Sequence, residues 1–247
     1  MSFTNYYDAT YGTGTSLPKM AIFVYANTSS EDGVGDKGSV VTKPIKNACD
    51  ELLNYGSTGK YVLYKYTKSD FPGLTQSEIG SGAFRDWLDA SDGNGNTTGE
   101  NLLKYKGAHL LVHDYGCTKN LAGGEYADDC SAPDAFQTGV PAWTSIGCSP
   151  DLQDNSAIQE CIHMFIRYKQ DKVTDLTNDP NENTYREHRL GKVRIGYDAT
   201  PMLTYHSDES DLVHHGDCRT NYSQSSYTQV LTECTKKAVK FTAQNNC

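Results

Sequence analysis

Short apolar runs that alternate with helical segments are the feature that most constrains the fold of this 247-residue chain. Four runs are bounded by polar residues, as buried strands are: Met20–Tyr25, Tyr61–Tyr66, Ala108–His113 and Val140–Ile146. Helical spacing of apolar residues predicts four helices: Val41–Tyr55, Thr75–Leu88, Asp154–Lys169 and Tyr227–Thr242. Strands that alternate with helices predict an α/β domain with a mostly parallel, twisted sheet.

Composition along the chain predicts three parts. Residues 1–18 are rich in Tyr, Gly and Thr and are expected to form an irregular arm. Residues 19–170 hold the predicted sheet and end in its best helix, which Asp154 or Asn155 would cap. Residues 171–247 are expected to form a loop-rich C-terminal lobe that closes with the last helix. A short extended piece near 122–127 would fit the edge of the sheet.

Charge and composition exclude several function classes. The chain has 22 basic and 31 acidic side chains, a formal net charge of −9, which argues against a nucleic-acid partner. No stretch approaches the roughly 20 apolar residues that a membrane span needs, so no membrane span is predicted. With 17 Tyr, 7 Phe and 2 Trp, the chain can build a hydrophobic core and is not expected to be disordered.

The cysteine pattern bears on whether the protein is secreted. None of the eight cysteines forms a Cys-x-x-Cys pair, which argues against a zinc ribbon or a redox motif. All eight are disulfide candidates: Cys49, Cys117, Cys130, Cys148, Cys161, Cys218, Cys234 and Cys247. Up to four disulfides predict a secreted protein, and unrelated free thiols are the alternative. Three N-glycosylation sequons, at Asn27, Asn96 and Asn221, agree with a secreted glycoprotein.

The candidate site lies on the predicted helix Asp154–Lys169. It carries Gln159-Glu160-Cys161-Ile162-His163, in which Glu160 and His163 are spaced to project toward nearly the same face. Zinc peptidases place two histidines and a glutamate in this pattern on a helix, and here Gln159 stands where the first histidine would be. Downstream the chain reads His188-Arg-Leu-Gly and later Pro201-Met202.

On these residues and on its order of strands and helices, the chain resembles the metzincin-type zinc metallopeptidases. The resemblance implies a zincin-like fold with an antiparallel edge strand, an active-site helix and a zinc cofactor. Glu160 would be the general base, His163 and His188 would be metal ligands, and Met202 would be the Met-turn residue. A peptide or protein substrate or ligand would lie in a cleft bordered by residues 122–127.

The chain departs from the family pattern at the metal. An amide such as that of Gln159 is a poor zinc ligand beside an imidazole. His163 and His188 are also farther apart in sequence than in the compact family motif, which implies an inserted loop. Gln159 or His206 are candidates for the missing ligand, and so are His214 and His215. The departure predicts an atypical or impaired zinc metalloendopeptidase rather than a standard one.

Simpler interpretations remain open. Glu160 and His163 would also fit a pair on a helix surface, and Met202 would fit a hydrophobic core. His188 taken alone would be solvated. His109 and His113 are better explained as buried, hydrogen-bonded histidines than as metal ligands. At the level of function, the alternative is a non-catalytic, disulfide-stabilised secreted binding protein on a zincin-like scaffold. A serine hydrolase is disfavoured because the chain has no Gly-x-Ser-x-Gly motif.

Overall fold

The computed structural model describes eleven segments of the chain: residues 3–10, 16–26, 37–66, 73–79, 82–89, 101–117, 122–124, 134–177, 190–191, 198–203 and 226–244. The strands in these segments are β1 (Phe3–Thr10), β2 (Lys19–Ala26), β3 (Lys60–Tyr66), β4 (Gly107–His113), β5 (Ala122–Gly124), β6 (Gly139–Ser145), β7 (Asp198–Ala199) and β8 (Ser226–Tyr227). The α-helices are α1 (Lys37–Tyr55), α2 (Ala83–Asp89), α3 (Pro150–His163), α4 (Asp171–Thr177) and α5 (Glu233–Gln244).

Six strands form one sheet in the order β1-β3-β2-β4-β6-β5. The four central strands are parallel to one another, and β5 pairs antiparallel with β6 at one edge. The predicted α/β class, with a mostly parallel sheet and an antiparallel edge strand near residue 122, is therefore confirmed. The opposite edge is antiparallel as well, because β1 pairs with β3 in that sense.

Side-chain alternation along β2 distributes its residues between the two faces of the sheet. Met20, Ile22 and Val24 join the core that α1, α3 and α5 cover. The intervening residues Ala21, Phe23 and Tyr25 join a second, aromatic-rich cluster with residues of α2. Successive residues of a strand point to opposite faces, so a wholly apolar run is the signature of a strand that is buried on both.

Three expectations from sequence are corrected. Residues 3–10 form β1 and not an irregular arm, since they pair with the exposed edge of β3. Within the predicted helix Thr75–Leu88, residues 76–79 form a turn and the helix begins only at Ala83. The last helix begins at Glu233 and not at Tyr227, which lies in β8.

The motif helix is also displaced from its predicted bounds. It begins at Pro150 after the N-cap residue Ser149, and it ends at His163. Neither Asp154 nor Asn155 is the cap, because Pro150 is well suited to the first helical turn. Phe165 and Ile166 follow helical spacing and are fully buried, but they lie in the turn after the helix.

The C-terminal elements pack on the main sheet domain. Helix α5 contacts α4 and α1, and its buried residues Cys234, Ala238 and Val239 belong to the same core cluster as the central strands. None of the helices in the described segments is long and apolar enough to cross a membrane.

Candidate functional site

Helix α3 is enclosed by the rest of the protein. Every residue from Asn155 to His163 is buried, because the helix packs against α1, β4, β5, β6, β8 and the 3-10 turn Pro201–Leu203. An enclosed helix buries polar as well as apolar residues. The polar side chains of its second half therefore sit inside the protein, and each requires a structural or functional reason.

The three polar motif residues are among the buried ones. Gln159, Glu160 and His163 are 3%, 7% and 5% exposed, so the interpretation of Glu160 and His163 as a surface pair is wrong. Gln159 and His163 lie one turn apart on one face of α3. The Oε1 atom of Gln159 has no hydrogen-bonding partner in the described part of the chain. It is a buried acceptor of the kind that a cation or a water molecule would satisfy.

Tyr168 holds one side of the His163 imidazole. Its hydroxyl lies 2.5 Å from Nδ1 of His163, and Tyr168 is itself only 2% exposed. A metal bound by His163 would therefore have to be bound through Nε2. Sequence reasoning missed Tyr168 because the predicted helix continued through it, whereas the observed helix ends at His163.

A buried ion pair fixes the segment that carries Tyr168. Arg167 Nε lies 2.7 Å from Asp134 Oδ2, and each side chain is 1% exposed. Burial raises the pKa of the Asp134 carboxyl, and the charge of Arg167 opposes that rise. The backbone N–H of Arg167 also donates to the Thr242 hydroxyl of α5 at 3.1 Å. The end of α3 is thus tied both to the segment before β6 and to α5.

The turn that contains Met202 packs under α3. Met202 is fully buried and belongs to the same core cluster as Ile158 and Ile162 of the helix. Asn155 holds the neighbouring strands β7 and β8 in place, because its Nδ2 donates to the carbonyl oxygens of Ala199 and Thr228, at 3.0 and 2.9 Å. This position is compatible with the Met-turn role that the resemblance implies and also with a core role.

The edge strand β5 lies beside the end of the motif helix. A Cβ built on Gly124 would be 2.7 Å from Cε of Met164, the residue that follows α3. A Cβ on Gly123 would be 2.4 Å from the Trp143 ring of β6. Both distances are shorter than side chains tolerate, so Gly124 allows the edge strand to lie close to the residue after the helix, and Gly123 leaves room for the Trp143 ring.

The cysteines divide into bonded and free groups. Cys117 and Cys148 form a disulfide that links the segment after β4 to the segment between β6 and α3. Cys234 is disulfide-bonded as well. Cys49 and Cys161, two of the eight disulfide candidates, are instead buried free thiols in α1 and α3. Cys130, Cys218 and Cys247 lie outside the described residues, as do the sequons at Asn27, Asn96 and Asn221.

The histidines of β4 are buried and hydrogen-bonded. Both ring nitrogens of His109 are hydrogen-bonded, Nδ1 to the Tyr25 hydroxyl at 2.7 Å and Nε2 to the Tyr105 carbonyl at 2.9 Å. His113 is 1% exposed, and its Nδ1 accepts the backbone N–H of Tyr115 at 3.4 Å. The expectation of buried, hydrogen-bonded histidines is therefore confirmed for both.

The described residues hold only part of the ligand set that the resemblance implies. They are the imidazole of His163, the carboxylate of Glu160 and the amide of Gln159, all on α3. Within the described segments no group of three or more His, Cys, Asp or Glu side chains could hold a metal ion. A catalytic zinc needs three protein ligands. The remaining candidates, His188, His206, His214 and His215, lie outside the described residues.

Comparisons with known proteins give no family assignment. No protein-family model matches the sequence, and no curated protein is significantly similar to it. The resemblance to metzincins therefore rests on the order of the elements and on the residues of the motif.

Proposed function

We propose that this chain is a secreted, atypical zinc-dependent peptidase of metzincin type. The observation that carries the proposal is the placement of Glu160 and His163 inside the protein, on a helix that packs on the Met202 turn and beside an antiparallel edge strand. In this proposal Gln159 occupies the position of the first imidazole ligand. His163 and His188 are the two imidazole ligands, and Gln159 or His206 completes the metal site.

Each site residue then has a separate role. His163 would hold the metal, and the amide oxygen of Gln159 would be a weak ligand or a partner of a bound water. Glu160 would accept a proton from the attacking water and pass it to the leaving amine. The chemistry that a bound zinc would supply is Lewis-acid activation of that water. β5 is the edge strand of the described sheet, and an edge strand offers backbone N–H and C=O groups to an extended peptide.

Secretion is part of the proposal. The Cys117–Cys148 disulfide is compatible with an oxidising compartment, where structural disulfides persist. Cys234 is disulfide-bonded as well, which also suits an extracellular protein.

A second candidate function is favoured by one observation. The first-ligand position is occupied by Gln159, whose buried amide is a much weaker zinc ligand than an imidazole. A zincin-like scaffold that has lost a ligand would keep its fold and its edge strand but not its activity. The alternative is therefore a non-catalytic, disulfide-stabilised secreted protein that binds a peptide or protein segment without cutting it.

Metal analysis combined with substitution separates the two candidates. Purified wild-type protein is loaded with Zn²⁺, dialysed and analysed for bound metal, and its cleavage of unfolded casein is measured. The peptidase proposal predicts one zinc per chain, lost in His163→Ala and His188→Ala, together with measurable cleavage. Absence of both zinc and cleavage in the wild-type protein would overturn it.

A substitution that restores zinc binding tests the alternative, the non-catalytic binding protein. Gln159→His restores an imidazole at the first ligand position and is expected to create or tighten zinc binding. Gln153→His is the matched control, because it adds an imidazole at another buried position of α3, away from His163. Zinc binding that appears only in Gln159→His favours the non-catalytic scaffold. Failure of Gln159→His to bind zinc would contradict the zincin interpretation in both forms.

A further inference from the structure

Lysines gather where the parallel strands of the sheet begin. Lys19 is the first residue of β2 and Lys60 is the first residue of β3, and the two are paired in the register of these strands. Lys106 immediately precedes β4, the strand that lies on the other side of β2. Neighbouring strands are only about 4.8 Å apart, so this end of the sheet concentrates positive charge.

Two lysines at this end of the sheet lie over aromatic rings. Nζ of Lys19 is 5.9 Å from the centroid of the Tyr64 ring, and Nζ of Lys104 is 5.2 Å from the centroid of the Tyr105 ring. Both rings contact Phe3, at centroid distances of 6.3 and 5.9 Å, so they belong to one aromatic cluster. We call the resulting region the basic surface, and it comprises Lys19, Lys60, Lys104 and Lys106 with Tyr64 and Tyr105.

The basic surface is open to solvent. Lys19, Lys104 and Lys106 are exposed, and Tyr105 is 43% exposed. No ion pair within the described segments involves any of these three lysines. The chain as a whole has a net charge of −9, so this region differs in sign from the molecule that carries it. Its positive charge is therefore available to an anion from outside.

Hydrogen bonds hold the turn that carries Lys104 and Tyr105. The Tyr105 N–H donates to the Leu102 carbonyl at 3.0 Å, and the Tyr105 carbonyl accepts from Nε2 of His109 at 2.9 Å. The Lys104 N–H donates to Oδ1 of Asn101 at 3.2 Å. A turn that is ordered in advance lowers the entropic cost of binding. These backbone groups are not available to an extended peptide, so recognition here depends on charge and on the ring of Tyr105.

An anionic polysaccharide has the chemistry that this surface would recognise. Its carboxylate or sulfate groups recur along the chain and can pair with successive ammonium groups. The apolar side of a sugar ring can pack on an exposed tyrosine, whose ring gives contact area at a low entropic cost. An acidic peptide would gain less, because it needs partners for its own backbone. A single-stranded nucleic acid combines the same two contacts, and the choice of a glycan over it rests on the proposed secretion.

We propose that the basic surface binds a linear anionic polysaccharide, with acidic groups on Lys19, Lys104 and Lys106 and a sugar ring on Tyr105. Tyr105 contacts the aromatic-rich cluster, which lies on the face of the sheet opposite to the core that α3 covers. A bound polysaccharide would therefore retain the protein at an extracellular glycan and leave the motif helix unobstructed.

Calorimetric titration with heparin, a sulfated polysaccharide, tests the proposal. The wild type is compared with the double variants Lys19→Gln/Lys104→Gln and Lys172→Gln/Lys240→Gln, at low and at physiological ionic strength. The second variant is the matched control. It also removes two positive charges, and its lysines, on α4 and α5, also lie over aromatic rings, at 5.6 and 5.8 Å from the ring centroids.

The two double variants give different expectations. Lys19→Gln/Lys104→Gln is expected to bind heparin about 5- to 30-fold more weakly, the range for two exposed charge contacts. Its affinity should also depend less on salt, because fewer counterions are released. The control is expected to bind as the wild type does. Equal losses in the two variants would overturn the proposal, since binding would then follow net charge alone. Absence of heparin binding by the wild type would overturn it as well.

Substitutions of Tyr105 test the contact with the sugar ring. Tyr105→Ala is expected to weaken heparin binding, whereas Tyr105→Phe keeps the ring and is expected to bind as the wild type does. Equal affinities of Tyr105→Ala and the wild type would overturn the stacking role. If Tyr105→Ala does not fold, the lysine variants decide, because their substituted side chains are exposed or half-buried.

Other polyanions test the choice of ligand, and zinc binding separates this inference from the proposed function. A single-stranded oligonucleotide or polyglutamate that binds more tightly than heparin would overturn the polysaccharide as ligand. Lys19→Gln/Lys104→Gln is expected to match the wild type in zinc content and in casein cleavage. A wild type without zinc would overturn the peptidase proposal and leave the basic surface unaffected, and loss of heparin binding in that variant with unchanged zinc content supports a separate site.

Discussion

Asp134 and Arg167 form an ion pair in the interior of the protein, with 2.7 Å between Oδ2 and Nε. The pair joins the segment that precedes β6 to the turn that follows α3. The backbone reinforces it, because Ala135 N–H donates to the Met164 carbonyl at 2.8 Å. Through this pair the central sheet positions the end of the motif helix and, with it, Tyr168.

Loss of the Asp134 charge is expected to destabilise the protein strongly. Asp134→Asn removes the carboxylate that pairs with the buried Arg167 guanidinium, and breaking a comparable buried pair costs about 3–5 kcal/mol. Urea unfolding followed by circular dichroism measures the loss. Glu233→Gln is the control, since Glu233 pairs with Lys237 on the surface, where their side chains are 67% and 41% exposed, and little change is expected. Equal effects of the two substitutions would contradict the structural role of the buried pair.

Stability is expected to fall as the pH is lowered from 6.5 to 4, in part through His109. Burial is the largest cause that lowers the pKa of His109 from 6.5 to about 4. The Nε2–H donates to the Tyr105 carbonyl, which can only accept, so Nδ1 accepts from Tyr25 in the neutral ring. The folded state therefore resists a proton that the unfolded chain takes up, and stability present above pH 6.5 is lost as the pH falls through this window.

His109 is expected to contribute about 3 kcal/mol to the loss of folding stability as the pH falls from its unfolded pKa of 6.5 to its folded pKa of about 4. His109→Gln provides the comparison, because an amide keeps one donor and one acceptor and does not titrate. Urea unfolding at several pH values between 4 and 7 is expected to give a shallower pH dependence for the variant. The same slope in both proteins would contradict a neutral, buried His109.

Labelling of cysteines in the native protein is expected to distinguish the free thiols from the disulfide. Cys49 and Cys161 are both 0% exposed, and burial raises the pKa of each thiol above its usual value. Because thiolate is the reactive form, neither should react with iodoacetamide until the protein is unfolded. Mass spectrometry of a digest should find Cys117 linked to Cys148 without reduction. Labelling of Cys49 in native protein would contradict the described core.

Gly107 is expected to tolerate alanine less well than Gly82. Both glycines have positive φ, +149° and +92°, but a Cβ on Gly107 would lie 2.3 Å from the Ala21 carbonyl oxygen. A Cβ on Gly82 would meet no atom of the described residues within 4 Å. Gly107→Ala should therefore cost about 1–3 kcal/mol more than Gly82→Ala, through overpacking of β4 against β2. Thermal unfolding of the two variants measures the difference, and equal melting temperatures would contradict it.

The apolar runs were a sufficient guide to the central sheet. Each predicted strand from Met20 to Ile146 is present to within one residue at either end, and the edge position of residues 122–124 was also predicted. Strand β1 was missed because its pairing partner, β3, is distant in sequence, and no local sequence pattern indicates that the two strands pair. The end of α3 was placed too late because Phe165 and Ile166 continue the helical spacing after the helix has ended.

The candidate site was predicted only in part. The spacing of Glu160 and His163 placed both residues on one helix, and the structure shows them buried there. Tyr168, Asp134 and Arg167 carry no sequence signal that relates them to His163. Their contacts arise because the chain turns at residue 164 and returns toward β6 and α5.

By itself, then, the sequence determined the class of fold, because short apolar runs and the helical spacing of apolar residues are local patterns that do not depend on distant residues. It also determined which polar residues share the motif helix. Only the tertiary structure decided that the helix is enclosed, that Gln159 Oε1 is a buried acceptor in the described part of the chain, and that Tyr168 holds His163. Burial and hydrogen bonding between distant residues depend on how the elements pack, and packing is a property of the whole chain.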